Sequence, residues 1–177
     1  MQMKMKNVTK ILIAGTPGTG KSTLIDEIIE QIPNAAHIDI SKFAKDHNLI
    51  QEYDNEYDCH VLDEERLIDE LEENVQSLDN PVIIFEYHGV DLFPKHMLNA
   101  IFILRTDNTL LYDRLNKRAY NGKKLEENLQ SEIFQTILDE AKHYVSGNDE
   151  ITLEELISNT PDDMEINAQK IINYISE

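Results

Sequence analysis

Apolar residues recur along this chain in two rhythms. Short, largely apolar runs stand at Lys10 to Ala14, Ala36 to Ile40, Val82 to Glu86 and Ala100 to Leu104, with the length and composition of strands buried on both faces. A fifth run, Glu150 to Leu153, is less distinct. Ile151-Thr152-Leu153-Glu154-Glu155-Leu156 alternates like a strand, yet it can equally be wound as a helix. Between the runs the spacing changes to three and four. Leu24, Ile25, Ile28, Ile29 and Ile32 line one helical face, which Pro33-Asn34 stops. Leu67, Ile68, Leu71, Val75 and Leu78 line a second, and Leu125, Leu129, Ile133, Ile137, Ala141 and Tyr144 predict one longer helix. A last helix opens at Thr160-Pro161-Asp162-Asp163, a cap followed by proline and an acidic first turn, and buries Met164, Ala168, Ile171, Ile172 and Ile175.

Strands alternating with helices predict an α/β fold, a five-stranded parallel sheet with helices on both faces joined by right-handed crossovers. The 177 residues suffice for one such domain and are too few for two of ordinary size. Ligands in open parallel sheets bind at the carboxyl ends of the strands. The chain ends of three runs, near Gly15, Glu86 and Arg105, therefore mark the functional edge.

The first of those ends carries Gly15-Thr16-Pro17-Gly18-Thr19-Gly20-Lys21-Ser22, a complete match to G-x-x-x-x-G-K-[ST] between a strand and a helix. Glycines there let successive N–H groups converge on a phosphate, and the following helix aims its positive end at the same anion. Lys21 would reach the β- and γ-phosphates, and the Ser22 hydroxyl would bind Mg²⁺. The fold expected is thus that of a P-loop NTPase. At the third run's end, Glu86 occupies the place of a Walker B acid, and His88 lies on the same side if the chain stays extended. His88 would position a water or an acceptor phosphate, or carry a proton. Arg114 and Arg118 are four apart on one helical face, with Lys123-Lys124 after the turn-like Tyr120-Asn121-Gly122. They suit a cationic lid over transferred phosphates, or else a solvated face paired with Asp113 and Glu126. The stretch from Ser41 to Asp63, with Lys45, is a polar, partly aromatic insertion.

A net charge of −18, from 34 acidic against 16 basic residues, argues against a protein that grips nucleic acid and suits a basic protein partner. One cysteine, Cys59, permits no internal disulfide, and Met1 to Lys10 lacks the apolar core of a secretory signal. No run is long enough to span a membrane. A soluble intracellular monomer is expected.

The motifs Gly-Thr-Pro-Gly-x-Gly-Lys-Ser, Glu52-Tyr53-Asp54-Asn55-Glu56-Tyr57-Asp58-Cys59, Val61-Leu62-Asp63-Glu64, Tyr87-His88-Gly89, Phe93-Pro94, Leu104-Arg105-Thr106-Asp107 and Glu127-Asn128 together resemble the adenylate kinase isoenzyme 6 family, also called coilin-interacting nuclear ATPases. The resemblance runs from about Ile11 to Ile175. It implies a nucleoside monophosphate kinase with a short monophosphate-binding region, residues 38–61, and a lid, residues 117–127. Such a protein uses ATP and Mg²⁺ to phosphorylate AMP and also hydrolyses ATP. The family further implies a role in small-ribosomal-subunit maturation with a basic ribosomal protein as partner, and residence in cytoplasm and nucleus. Carried over by position, Gly15, Pro17, Gly18, Thr19, Gly20, Lys21, Ser22, Thr23, Arg114 and Arg118 would bind ATP. Lys45, His88 and Gly89 would face AMP, Ser22 and Glu86 the metal, and Lys21, Glu86, His88 and Arg118 would carry catalysis. Three positions depart from the family pattern: Glu86 for the usual Asp, Lys45 for Arg, and Ala119 for the glycine after the lid arginine. An assembly factor whose kinase activity is incidental uses the same residues. A GTPase does not fit, because Asn116-Lys117-Arg118-Ala119 lacks the aspartate that reads guanine.

Overall fold

The computed structural model describes residues 8–55, 59–120 and 122–177, with only the backbone of Cys59 and His60. Met1 to Asn7, Glu56-Tyr57-Asp58 and Asn121 lie outside it. Five strands, β1 (Thr9–Ala14), β2 (Ala35–Asp39), β5 (Val82–Tyr87), β6 (Ala100–Arg105) and β7 (Thr152–Ile157), form one parallel sheet in the order β2-β5-β1-β6-β7. Two further strands, β3 (Ile50–Asp54) and β4 (Cys59–Leu62), pair as a separate antiparallel hairpin.

Successive side chains of a strand point to opposite faces, and the continuous apolar runs supply both. Leu12, Phe85, Ile101 and Ile103 pack beneath α2 (Ile40–Asp46), α3 (Glu64–Ser77) and α6 (Thr136–Val145), through Phe43, Leu67, Leu71, Leu138 and Tyr144. Ile11, Ile13, Ile84, Phe102 and Leu104 pack on the other face against α1 (Lys21–Gln31) and α7 (Pro161–Ser176), through Leu24, Ile28, Ala168 and Ile171. Each fully buried Ile or Leu there contributes up to about 3 kcal/mol relative to an exposed one. The predicted parallel sheet and its two helical layers are therefore present. Among the described residues no helix is long and apolar enough to cross a membrane.

Three local readings are corrected. The ambiguous segment is strand β7, and it reaches Ile157 rather than ending at Leu153. The stretch read as an insertion holds most of α2 and then the hairpin β3–β4, whose exposed Gln51, Glu52 and Tyr53 give it no apolar alternation to announce it. The long helix is two, α5 (Gly122–Ile133) and α6, broken at Gln135, whose φ is 57°. Ile133, which the helical stripe would bury, is 51% exposed, and its neighbour Phe134 is 70% exposed. The buried residue of α5 is instead Glu132, so a carboxylate decides how this segment packs.

Ala119 sits in the turn that follows α4 (Asn108–Lys117), with φ at 59°. The left-handed region costs an L-residue about 1–2 kcal/mol, whereas glycine gives back about 0.5–1 kcal/mol through its freer unfolded chain. Ala119→Gly is expected to stabilise the fold by about 0.5–1 kcal/mol, read as a higher urea midpoint at unchanged slope. A lower midpoint would show that the turn is not strained.

Candidate active site

The loop after β1 is shaped by its glycines. Gly15 has φ at 149°, and a Cβ there would stand 2.7 Å from the Leu104 carbonyl oxygen. Gly20, φ 97°, caps α1, and a Cβ on it would meet the Met164 methyl at 2.9 Å. Lys21 opens α1 and turns its ammonium back onto the loop, donating to the carbonyls of Gly15 at 2.8 Å and Thr16 at 3.2 Å. Thr19 is buried under the loop and donates to the same Thr16 carbonyl at 2.8 Å. Burial lowers the Lys21 pKa to about 8; Glu86 draws it back upward, and Arg118 adds to the fall.

Glu86, near the end of β5, faces this lysine. The Ser22 hydroxyl donates to its Oε1 at 2.6 Å, and Nε2 of His37, from β2, donates to its Oε2 at 3.0 Å. Burial pushes this carboxyl up, but the bonds from His37 and Ser22 and the charge of Lys21 outweigh it, so its pKa lies below the ordinary value. Glu86 is thus an ionised acceptor beside a hydroxyl. Two hard oxygen donors beside a phosphate loop fit Mg²⁺, which takes one or two protein ligands and the rest from phosphates and water. Ser22 and Glu86 would hold it, and it would neutralise charge on the phosphates.

The loop residues Pro17, Gly18, Gly20, Lys21, Ser22 and Thr23 line a cleft of about 210 Å³ with Glu86, His88 and Arg118. Nine residues expected at the site from sequence are thereby brought together. Arg118 is the C-cap of α4 and reaches this cleft from the start of the expected lid. Arg114 spends its guanidinium on backbone, donating to the carbonyls of Gly18 at 3.2 Å, Ser158 at 3.2 Å and Asn159 at 2.9 Å. It ties the loop to the turn before α7. With Arg118, Asn159, Thr160 and Met164 it walls a further recess of about 390 Å³.

On the other side of His88 lies a larger cavity of about 600 Å³. Thr16, Tyr87, Gly89 and Asp91 line it on the sheet side, and Lys124, Asn128, Ser131 and Ile137 on the side of α5 and α6. His88 has its pKa lowered, by desolvation first and by Lys21 second, which keeps its ring neutral and able to accept a proton. Burial and the nearby Glu64 push the Tyr87 phenol up to about 12. Lys45 is exposed in the last turn of α2 and lines none of these three spaces.

Sequence reasoning missed His37, Glu132 and Ser158. Ser158 Oγ donates to the Thr19 carbonyl at 2.7 Å. Glu132 Oε2 accepts from Thr16 Oγ1 at 2.8 Å. His37 ends no motif, yet its place one strand over from Glu86 follows from the strand order.

The family model described as an AAA domain matches residues 11–135. A Drosophila melanogaster protein named adenylate kinase isoenzyme 6 homolog is 46% identical over 164 residues, 93% of this chain and 90% of the relative. One of the same name from Caenorhabditis elegans is 40% identical over 167 residues, 94% of this chain and 89% of the relative. Among solved structures, shikimate kinase from Bacteroides thetaiotaomicron matches with a TM-score of 0.61 at 18% identity, covering 96% of this chain and 99% of that one. That last likeness shows the fold alone.

Proposed function

The chain belongs to the adenylate kinase isoenzyme 6 family of P-loop kinases, and on that premise we propose that it transfers the γ-phosphate of ATP to AMP, giving two ADP, with ATP hydrolysis as its acceptor-free reaction. The observation that carries this reading is the pair of spaces divided by Pro17, Tyr87 and His88, the residues that line both. One is the phosphate cleft. The other, at about 600 Å³, has the size of a small-ligand site. A simple hydrolase needs only water beside the γ-phosphate, whereas a transferase needs a second room for its acceptor.

In this reading Lys21 and Arg118 meet the charge on the transferred group, the loop amides hold the β-phosphate, and the recess beside Arg114 and Asn159 receives the donor base. His88 stands between donor and acceptor as a neutral imidazole and orients the acceptor phosphate or a water. Tyr87, kept protonated, offers a hydroxyl donor to the same space.

The test is ADP formation from ATP and Mg²⁺ with and without AMP, on wild type and on His88→Ala. Strong stimulation by AMP, two ADP per AMP consumed, and a fall of about 100-fold in His88→Ala are expected, within the span of a positioned acid–base group. If AMP changes nothing while slow hydrolysis persists, the larger cavity is not an acceptor site.

The charge of −18 favours a second role, an ATP-driven step in small-subunit maturation with a basic ribosomal protein, in cytoplasm and nucleus. A salt-dependent rise in hydrolysis with such a partner supports it, and no binding at low salt removes it.

A further inference from the structure

Glu132 is 2% exposed, one residue from the end of α5. A carboxylate that deep is costly unless every oxygen is satisfied. Its Oε2 accepts from Thr16 Oγ1 at 2.8 Å, and its Oε1 accepts from Arg105 Nε at 2.6 Å and from the Thr106 N–H at 3.0 Å. A second Arg105 nitrogen donates to the Glu132 carbonyl at 3.0 Å, and a third to Glu155 on β7 at 3.2 Å. One side chain therefore joins the phosphate loop, the end of β6 and the break between α5 and α6.

The position of that junction gives it meaning. Asn128 and Ser131, before the break, and Thr136 and Ile137, after it, line the large cavity, and so do Thr16 and Pro17 of the phosphate loop. Glu132 is not itself among the lining residues, but its bond to Thr16 ties the loop side of that lining to the α5–α6 side. A buried ion pair is weak evidence for stability, since apolar groups of the same volume often pack as well. Fixed directions are what the carboxylate supplies that an apolar residue would not. It accepts from three donors on two chain segments, and each of them sets a distance.

We propose that Glu132 is a positioning residue for the phosphoryl acceptor: through Thr16 it fixes the span between the phosphate loop and the α5–α6 wall, and so holds the acceptor against the γ-phosphate. The inference rests on the kinase reading above. Its signature is a loss specific to transfer. A displaced acceptor wall slows attack by AMP more than it slows attack by water, because only the former depends on that wall.

Two variants separate this from a packing role. Glu132→Gln keeps the shape but loses the charge facing Arg105. Thr16→Val removes the hydroxyl that links loop to carboxylate and leaves the bonds to Arg105 and Thr106 in place; Thr16→Ser restores the hydroxyl. The quantities read are the ratio of AMP-dependent to AMP-free ADP formation, the KM and kcat for AMP, and AMP binding by calorimetry in the presence of a non-hydrolysable ATP analogue. A fall of at least about 10-fold in the ratio is expected for Glu132→Gln and Thr16→Val, with a raised KM for AMP and recovery in Thr16→Ser. If Thr16→Val and Glu132→Gln slow both reactions equally, or leave the ratio as in wild type, the inference is overturned while the kinase reading stands. A wild type that neither binds AMP nor responds to it overturns the kinase reading, and this inference falls with it.

Discussion

Lys21→Ala is expected to lose ADP formation by about 100- to 1,000-fold, with AMP and without it, because both reactions place the same negative charge over the same ammonium. Removal of one preorganised charge partner from a site of this kind costs that much, and the substitution takes away nothing the sheet needs. Ile11, Ile13 and Leu24, which hold the loop from below, remain buried. Full turnover in the variant would refute the assignment of the cleft. The free lysine, lowered to about 8, adds a pH dependence. Above that value the empty protein carries a neutral amine, so binding a phosphate must recruit a proton, and ATP affinity should weaken as pH rises past 8. For stability the sign is opposite. Between about 8 in the folded state and 10.5 in the unfolded chain, the unfolded chain holds more protons, so stability gains with rising pH. Lys21→Ala should flatten both trends, as isothermal titration and urea melts across that window would show.

Gly15→Ala is expected to destabilise the fold by roughly 2–5 kcal/mol, adding about 1–3 for overpacking and about 1–2 for a positive φ. Its new Cβ would stand 2.7 Å from a carbonyl of β6, and β6 is held between β1 and β7 and cannot withdraw. The loop would have to shift instead, which misdirects its amides, so ATP binding should fall along with the urea midpoint. A variant with the midpoint and affinity of wild type would show that the loop accommodates a methyl group there without cost.

What could be read from the sequence, and what could not, divides along chain separation. The phosphate loop is contiguous, so its eight letters disclose its chemistry. Glu86 and His88 were found because a strand end next to such a loop is a site by topology. Arg118 came from a spacing of four with Arg114, although that pattern gave no hint that Arg114 is spent on the carbonyls of Gly18, Ser158 and Asn159. His37 lies 49 residues from the Glu86 it supports, and Glu132 lies 116 from Thr16. No local period encodes either pair. The broken α5–α6 helix failed for a related reason. Apolar spacing continues through Ile133, but satisfying one deep carboxylate outweighs burying that side chain, and periodicity counts only the latter.

The posture of Lys21 has one further consequence. Its ammonium is already hydrogen-bonded to two carbonyls of its own loop, so the protein supplies its cation with an internal ligand. An anion that binds there takes the ammonium over from those carbonyls, so the lysine exchanges acceptors instead of gaining contacts where it had none. The net gain from the charge is smaller than a bare Coulomb attraction suggests, and the loop amides must supply the rest.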